Sequence, residues 1–289
     1  MLDPTSPGAV RDLLQRHGFR IKKNLGQNFL IDGNIINKII IAAELNSTDT
    51  VVEIGPGVGA LTTRLAQKAE RVIAIEIDRT VLPLLAETLD GLDNVTLVEA
   101  DALKTDINRL VQDQTGTLAG GYKVVANLPY YITTPLIMHL LERHTAAQRI
   151  VVMVQEEVAR RLCASPGTKD YGALTVTANY YAVVKTAFKV PRTVFLPRPE
   201  VDSAVVSMTV RKSPAVDVVN EQVFFALVRA AFQQRRKTLL NALVSMDKGL
   251  SRDRWLDILQ QAGINPVRRG ETLNLQEFAR LADAYANLR

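Results

Sequence analysis

A glycine-rich turn between an apolar strand and a helix constrains the fold of this chain more than any other feature. Residues 50–54 are apolar and β-favouring, and the turn over residues 55–59, Gly-Pro-Gly-Val-Gly, leads into a helical pattern over residues 60–68. Glycine at a strand-to-helix turn lets the backbone approach a ligand, because no side chain stands in the way. The turn therefore predicts an α/β fold with a ligand site at the end of this strand.

The alternation of strands and helices continues beyond the turn and predicts a mostly parallel sheet. Such a succession implies parallel strands joined by right-handed crossovers. The final two strands have no helical stretch between them, so we expect them to pair antiparallel at one edge. The fold class is α/β, with a Rossmann-like sheet of seven strands. After residues 50–54, the strands are expected over residues 71–77, 95–99, 122–126, 150–155, 182–190 and 203–210.

The pattern beyond residue 212 is helical only. Lys212, Ser213 and Pro214 mark a domain boundary. Asn274 and Glu277 have the spacing of a capping box at the start of the last helix. We therefore expect two domains, an α/β domain over residues 1–212 that begins with a basic helical extension, and a small all-α domain over residues 213–289. Helices of the second domain are expected over residues 223–232, 239–244, 252–262 and 275–286.

Composition excludes several classes of protein. With 289 residues, 47% of them hydrophobic, the chain is long enough for about two domains with sizeable cores. No apolar run approaches the ~18 residues that a membrane helix needs, and the N-terminus lacks the apolar core of a signal peptide. Cys163 is the sole cysteine, which excludes an internal disulfide and fits a reducing cytosol. The histidines have no ligand spacing, so we expect a cytoplasmic protein with no metal.

The positive charge of the chain is concentrated at its C-terminal end. The chain carries 35 Lys and Arg against 30 Asp and Glu, a formal net charge of +5, and 13 and 8 of these respectively fall in residues 211–289. The whole excess therefore lies in the helical part. That asymmetry favours a polyanionic partner, although charge alone fits a solvated basic surface equally well.

Acidic residues at successive strand ends suggest what the glycine turn binds. Glu76 closes the second strand 21 residues after Gly55, where a carboxylate can accept both hydrogens of a ribose diol. Two cofactor classes share this arrangement. Gly55, Gly57 and Ala60 satisfy the relaxed dinucleotide fingerprint, so an NAD-binding enzyme is a rival interpretation.

Three features favour S-adenosylmethionine over NAD. Glu53 precedes the first glycine by two residues, where it would face a methionine ammonium but would repel a pyrophosphate at the helix N-terminus. Asp101 follows the third strand and can accept from an adenine amine. The third feature is an Asn-Leu-Pro-Tyr corner over residues 127–130, which is not expected in a dehydrogenase.

That corner follows a short apolar strand and precedes a helix, so it lies where α/β sheets bind their ligands. Asn127 offers an amide oxygen, and Pro129 turns the carbonyl of Leu128 outward because it restricts the residue before it. Tyr130 adds a flat ring. Two acceptors and a stacking face suit an aromatic amine.

The motifs taken together resemble those of the KsgA (RsmA) family of ribosomal RNA small-subunit adenine dimethyltransferases. They are EIGPGVG, AIEID and NLPYYITTP, with GQNFL before the sheet, FLPRPEVDSAV near residue 200 and AAFQQRRKTLLNAL in the tail. The resemblance runs from about Leu25 to the C-terminus and is specific in combination. The related Erm methylases share the cofactor motifs, but their corner usually reads Asn-Ile-Pro-Tyr-Asn and their tail differs.

The resemblance implies a class I methyltransferase sheet that binds S-adenosylmethionine and releases S-adenosylhomocysteine. Taken singly, Asn28 could instead cap the following helix, Leu30 could belong to the core, Gly55 could serve only the turn and Asp101 could be an N-cap. Together with Glu53 and Gly57 of the turn, the implied cofactor residues are Asn28, Leu30, Gly55, Glu76, Asp101 and Asn127.

The resemblance also implies the acceptor. Methyl groups would pass to N6 of two adjacent adenines in a hairpin loop near the 3′ end of 16S rRNA, within an immature small ribosomal subunit. A paired base could not reach the corner unless it were flipped out. Phe195 would stack on the target base together with Tyr130, although either ring could instead belong to the core. The catalytic set is then Asn127, Leu128, Pro129, Tyr130 and Phe195.

Basic residues of the tail are the candidate RNA contacts, and we expect the enzyme to be a monomer. Each single charge also fits a solvated surface. The principal candidates are Arg235, Arg236 and Lys237, followed by Arg268 and Arg269, with Arg16, Arg20, Lys22 and Lys23 near the N-terminus.

Two kinds of alternative stay open. The acceptor could be a DNA adenine, 23S rRNA as in Erm, or a glutamine amide of a protein. Alternatively, the chain could be an RNA-binding ribosome assembly factor in which catalysis is secondary.

Overall fold

The computed structural model describes residues 3–22, 26–142 and 146–287, which form two compact units. The first contains Met1–Ala159 and Val184–Val210, and the second contains Arg160–Val183 and Arg211–Arg289. This division differs from the expected one, because residues 160–183 belong with the C-terminal helices. Tyr180 and Tyr181 from this stretch pack their rings against Phe224 and Phe225.

The first unit is built on a seven-stranded sheet with the order β4-β3-β2-β5-β6-β9-β7. Neighbouring strands from β4 to β6 run parallel, and β9 runs antiparallel to β6. The final two long strands are neighbours with β7 at the edge, as expected. A separate two-stranded sheet pairs β1 with β8. The strands are β1 (Phe29–Leu30), β2 (Thr50–Ile54), β3 (Arg71–Glu76), β4 (Val95–Glu99), β5 (Tyr122–Asn127), β6 (Ala147–Gln155), β7 (Ala182–Val190), β8 (Phe195–Leu196) and β9 (Ser203–Val210).

Helices connect the parallel strands, and their starts follow local capping chemistry. Asp32 accepts hydrogen bonds from the backbone N–H groups of Asn34 and Ile35 and so caps α2, and Asp106 caps α5 in the same way. Pro83 lies in the first turn of α4, where its missing N–H costs nothing. The first six helices are α1 (Pro7–Arg16), α2 (Gly33–Ala43), α3 (Ala60–Ala66), α4 (Leu82–Thr88), α5 (Ile107–Thr115) and α6 (Thr133–Glu142).

The core of the first unit lies between the sheet and its helices. The isoleucines Ile36 and Ile39 on one face of α2 are almost fully buried against β2, β5 and β6. In a second cluster, Leu13 of α1 packs with Phe29 of β1 and with Val58 of the glycine turn. Strands covered on both faces explain the nearly continuous apolar runs of the sequence.

The second unit is helical. Trp255 and Tyr285 stack with ring centroids 5.1 Å apart, and Asn274 and Glu277 form the predicted capping box. The helix α8 was not predicted, because almost every residue in it is buried and it lacks an amphipathic period. Of the described helices, none is long and apolar enough to cross a bilayer. The remaining helices are α7 (Glu156–Leu162), α8 (Ala173–Tyr181), α9 (Glu221–Gln233), α10 (Leu239–Met246), α11 (Arg252–Gln261) and α12 (Leu275–Ala286).

Candidate active site

A cavity of about 350 Å³ opens at the carboxyl ends of β2, β3 and β5, where an open α/β sheet binds ligands. Its volume is in the usual range for a small-molecule site. All eight predicted cofactor residues line it, although they come from five separate stretches of the chain. They are Asn28, Leu30, Glu53, Gly55, Gly57, Glu76, Asp101 and Asn127.

Glu53 near the end of β2 is a buried acid with an unsatisfied oxygen. The residue is 1% exposed, and its Oε2 has no hydrogen-bond partner among the described residues. Burial raises the pKa of Glu53 to about 8; the nearby Thr62 hydroxyl opposes this shift, and the negative charge of Glu76 adds to it. An orphan carboxylate oxygen in a cavity wall is suited to receive a cationic group from a ligand.

Glu76 ends β3 and faces the same cavity. Its Oε1 accepts the backbone N–H of Asp78 at 2.7 Å, and burial raises the pKa of Glu76. Asp101 follows β4, where its Oδ1 accepts the N–H of Leu103 at 3.0 Å. Its Oδ2 lies 3.5 Å from the exposed ammonium of Lys104, so one oxygen is held by the loop and the other is only loosely paired.

The glycine turn allows a close approach between backbone and side chain at the cavity floor. Gly57 has φ 58°, in the left-handed region, and a Cβ at this position would lie 3.0 Å from the ring of Phe29. A larger residue would therefore displace the segment that carries Asn28 and Leu30. Asn28 does not cap the following helix, since Asp32 does so.

Asn127 ends β5 with its amide oriented by a neighbouring segment. Its Nδ2 donates to the backbone carbonyl of Asn28 at 3.1 Å, while no donor from the described residues reaches its Oδ1. The N–H of Leu128 donates to the carbonyl of Met153 at 3.1 Å, which anchors the corner to β6. Asn127, Leu128 and Pro129 all line the cavity. The corner therefore presents an amide oxygen in a fixed direction.

Two tyrosines of the corner line the cavity in different ways. The hydroxyl of Tyr130 lies 2.8 Å from that of the buried Ser203, and burial raises the pKa of Tyr130. Its ring is thereby held at the cavity wall. Tyr131, which the sequence analysis did not assign to the site, also lines the cavity and is 53% exposed.

The structure does not bring Phe195 to the cavity. The residue is 4% exposed, its register partner in the short sheet is Leu30, and its ring belongs to the core cluster between α2 and the large sheet. Phe195 is not among the residues that line the cavity, so its stacking beside Tyr130 stays a prediction. Strand pairing with β1 accounts for its burial, because the β1–β8 pair carries the Phe195 side chain into the core.

Comparison with known proteins identifies the family. A family model described as ribosomal RNA adenine dimethylase matches residues 18–284. A protein from Pelotomaculum thermopropionicum named ribosomal RNA small subunit methyltransferase A is 55% identical, over 99% of this chain and 98% of the relative. The chain belongs to the ribosomal RNA adenine dimethylase family. The predicted activity is confirmed, and the NAD-dependent alternative is wrong.

Solved structures place the dimethylase among methyltransferases of the same fold. A dimethyladenosine transferase from Plasmodium falciparum superposes with a TM-score of 0.72 at 28% identity, covering 86% of this chain and 94% of that chain. The 23S rRNA methyltransferase ErmE gives a TM-score of 0.66, also at 28% identity, covering 89% and 99%. The predicted fold class is confirmed.

The basic residues of the tail divide into two groups. Arg235 donates from Nη2 to the backbone carbonyls of Lys169 and Tyr171, both at 2.8 Å, and its Nε lies 3.4 Å from Glu271. Arg236 and Lys237 are exposed, and their side chains pair with none of the described residues. Arg235 therefore holds a loop of its own unit, while its two neighbours remain available.

The other basic candidates divide similarly, and Arg20 and Arg269 are exposed, with side chains that pair with none of the described residues. Arg268 forms a two-pronged ion pair with Glu277, and Arg16 pairs with Asp12 and Glu87. Lys22 pairs with Asp78, and Lys23 lies outside the described residues.

Within the described ranges, no group of three or more His, Cys, Asp or Glu side chains could hold a metal ion.

Proposed function

We propose that this dimethylase transfers methyl groups from S-adenosylmethionine to N6 of two adjacent adenines in a hairpin loop near the 3′ end of 16S rRNA. The substrate is an immature small subunit in the cytoplasm. The observation that carries the proposal is the presence, in one cavity, of the unpartnered Glu53 oxygen and the oriented Asn127 amide. The choice of the small subunit rests on the relative's name.

The residues of the cavity fit the parts of the proposed donor. The buried oxygen of Glu53 suits the methionine ammonium, because a cation there would satisfy an otherwise costly polar atom. Glu76 suits the ribose hydroxyls and Asp101 the adenine amine. Gly55 and Gly57 keep the turn free of side chains where the methionine part would pass. When bound, S-adenosylmethionine would supply a methyl group on a sulfonium: the amine would attack the methyl carbon in line, S-adenosylhomocysteine would leave as a neutral thioether, and the amine proton would pass to water after the transfer.

The corner would orient the acceptor amine. Nδ2 of Asn127 is engaged by Asn28, so its Oδ1 is the atom that faces an incoming adenine. Hydrogen bonds from N6 to Asn127 Oδ1 and to the Leu128 carbonyl would favour a pyramidal nitrogen whose lone pair points at the donor. Positioning of this kind can lower a barrier by ~7–11 kcal/mol without a strong base. The Tyr130 ring, held through its hydroxyl, would stack on the base, a contact worth ~1–3 kcal/mol.

Recognition of the RNA backbone would fall to exposed cations. Arg236, Lys237 and Arg269 are the candidates in the helical unit, because their side chains are not engaged by the described residues. Contacts of this kind set register and salt dependence and do not read sequence. We propose that the enzyme acts as a monomer.

The proposal is tested by methyl incorporation into undermethylated small subunits, followed by identification of the modified nucleoside. Labelled S-adenosylmethionine is incubated in parallel with large subunits, naked DNA and bulk protein. We expect label in 16S rRNA only, recovered as N6,N6-dimethyladenosine. Label in 23S rRNA or DNA, or a different nucleoside in 16S rRNA, would contradict the proposal.

A further inference from the structure

A buried carboxylate in the cavity wall, Asp78, has no part in the chemistry described so far. Asp78 lies two residues after Glu76, and its side chain is 4% exposed. Burial alone would raise the pKa of Asp78, but hydrogen bonds from Lys22 and Thr80 outweigh it and hold the pKa below its ordinary value. The Asp78 carboxylate is therefore charged, and other residues donate hydrogen bonds to it.

Those partners come largely from the N-terminal part of the chain. Oδ1 of Asp78 accepts from the Lys22 ammonium at 2.7 Å, and Oδ2 accepts from the side-chain amide of Gln27 at 2.8 Å. The other end of the Gln27 amide accepts the backbone N–H of Lys22 at 2.8 Å. Thr80 donates twice more to Oδ1, which fixes the carboxylate itself. Asp78 thus joins two residues more than 50 positions earlier in the chain to the end of β3.

Gln27 belongs to a lining segment, residues 26–28, that forms part of the cavity wall. Gly26 has φ 61°, and a Cβ on it would lie 3.5 Å from the ring of Tyr131, so the segment runs against the corner. Asn28 donates to the carbonyl of Gly26 and accepts from Asn127 at 3.1 Å. The lining segment is therefore held at Gln27 by Asp78 and at Asn28 by the Asn127 amide.

The hydrogen bonds form a continuous path between the two halves of the site. The backbone N–H of Asp78 donates to Glu76, the proposed ribose ligand, and its side chain holds Gln27. The lining segment then leads to Asn127. Displacing the segment would alter the donor pocket and release the Asn127 amide to rotate.

We propose that Asp78 is a positioning residue that latches the lining segment through Gln27 and Lys22 and thereby sets the affinity for the methyl donor. The inference rests on the proposed function, since that function assigns the cavity to S-adenosylmethionine. Asparagine at position 78 keeps the shape but has a single acceptor oxygen. It could hold Lys22 and Thr80 or Gln27, but not both sets.

The test measures binding of S-adenosylhomocysteine by calorimetry, which needs no turnover. In D78N and in Gln27→Met, which cuts the same link from the other side, we expect the dissociation constant to rise about tenfold. The double variant should lose little more than either single variant, because both remove one connection. In methyl transfer, the KM for the donor should rise by a similar factor, with a smaller fall in kcat.

Arg79→Met is the matched control, because it removes the ion pair between the adjacent Arg79 and Glu99 without touching the lining segment. Thermal denaturation establishes the temperature at which every variant is folded for the binding measurement. Affinity within twofold of the wild type in both D78N and Gln27→Met would overturn the positioning role of Asp78. An equal loss of affinity in Arg79→Met would also overturn it. Failure of the wild-type protein to bind S-adenosylhomocysteine would overturn the proposed function instead.

Discussion

The positions of side chains could be predicted from the sequence in the cavity but not in the basic segment, residues 235–237. In the cavity, every predicted donor residue reaches the wall. In the basic segment, three consecutive exposed cations differ in their partners, because Arg235 is tied to two backbone carbonyls while the side chains of its neighbours pair with none of the described residues. The end of a strand or a turn fixes the position and direction of a side chain. A long surface side chain can reach several different partners, so its contacts cannot be predicted from the sequence.

The largest loss of activity is expected from a substitution at Asn127 in the cavity. Asn127→Ala removes the acceptor oxygen and the bond to Asn28, so we expect kcat to fall about 100- to 1,000-fold with the fold intact. Methyl incorporation into undermethylated small subunits measures the loss, and circular dichroism checks the fold. Near-normal turnover would show that the corner does not orient the amine. Rescue of a deletion strain by this inactive variant would favour an assembly factor in which catalysis is secondary.

The donor half should respond next. Glu76→Ala removes the buried acceptor at the end of β3, so we expect the dissociation constant for S-adenosylhomocysteine to rise about 10- to 100-fold. Glu99 is its register partner on β4 and is exposed, which makes Glu99→Ala a matched control with little expected effect. Equal affinities in the two variants would remove Glu76 from the donor site.

Much of the fold could be predicted because buried strands of a parallel sheet leave an unambiguous apolar run. The predicted bounds of β2, β4, β7 and β9 agree with the structure. The elements that could not be predicted are those without a periodic apolar pattern. The helix α8 is buried almost all round, and the two residues of β1 are too few to show alternation.

The site shows the same limit. Glu53, Glu76 and Asn127 could be predicted because each ends or nearly ends a strand at the ligand-binding edge. The hydrogen bonds of Asp78 could not, since its partners Lys22 and Gln27 reach it only after folding. Phe195 was assigned from the resemblance, and its burial depends on the pairing of β8 with β1.

Glu53 predicts that the affinity of the cavity for its ligand depends on pH. Its pKa in the ligand-free protein is raised to about 8, and an ammonium bound beside it would lower that pKa. Binding then releases a proton, so affinity for S-adenosylhomocysteine should rise with pH, by nearly tenfold per unit below about 8, and level off above it. Calorimetry across pH 6 to 9 measures the slope. Glu53→Gln should bind weakly with no such slope, and a wild-type affinity that is independent of pH would exclude this role.

The same group makes a separate prediction for stability. Because the folded pKa of Glu53 lies above its unfolded value of 4.5, its contribution to stability is complete at low pH and is lost as pH rises through about 8. Ligand-free Glu53→Gln should therefore gain in melting temperature relative to the wild type as pH rises from about 5 to 9. A constant difference in melting temperature over that range would contradict the assignment of a neutral, buried carboxyl.

The smallest effects are expected in the basic segment, where they separate its two kinds of cation. Replacing Arg236 and Lys237 with alanine should weaken RNA binding several-fold and reduce the slope of log affinity against log salt by about one to two, since two phosphate contacts are lost.

Arg235→Ala is the informative partner to that double variant. It frees two backbone carbonyls and the loop that contains Lys169, so it should lower the free energy of unfolding by about 1–2 kcal/mol. Its salt slope should stay near that of the wild type. If Arg235→Ala flattened the salt slope as much as the double variant did, the three cations would act alike on RNA. The contrast between an engaged cation and two available ones would then lose its functional meaning.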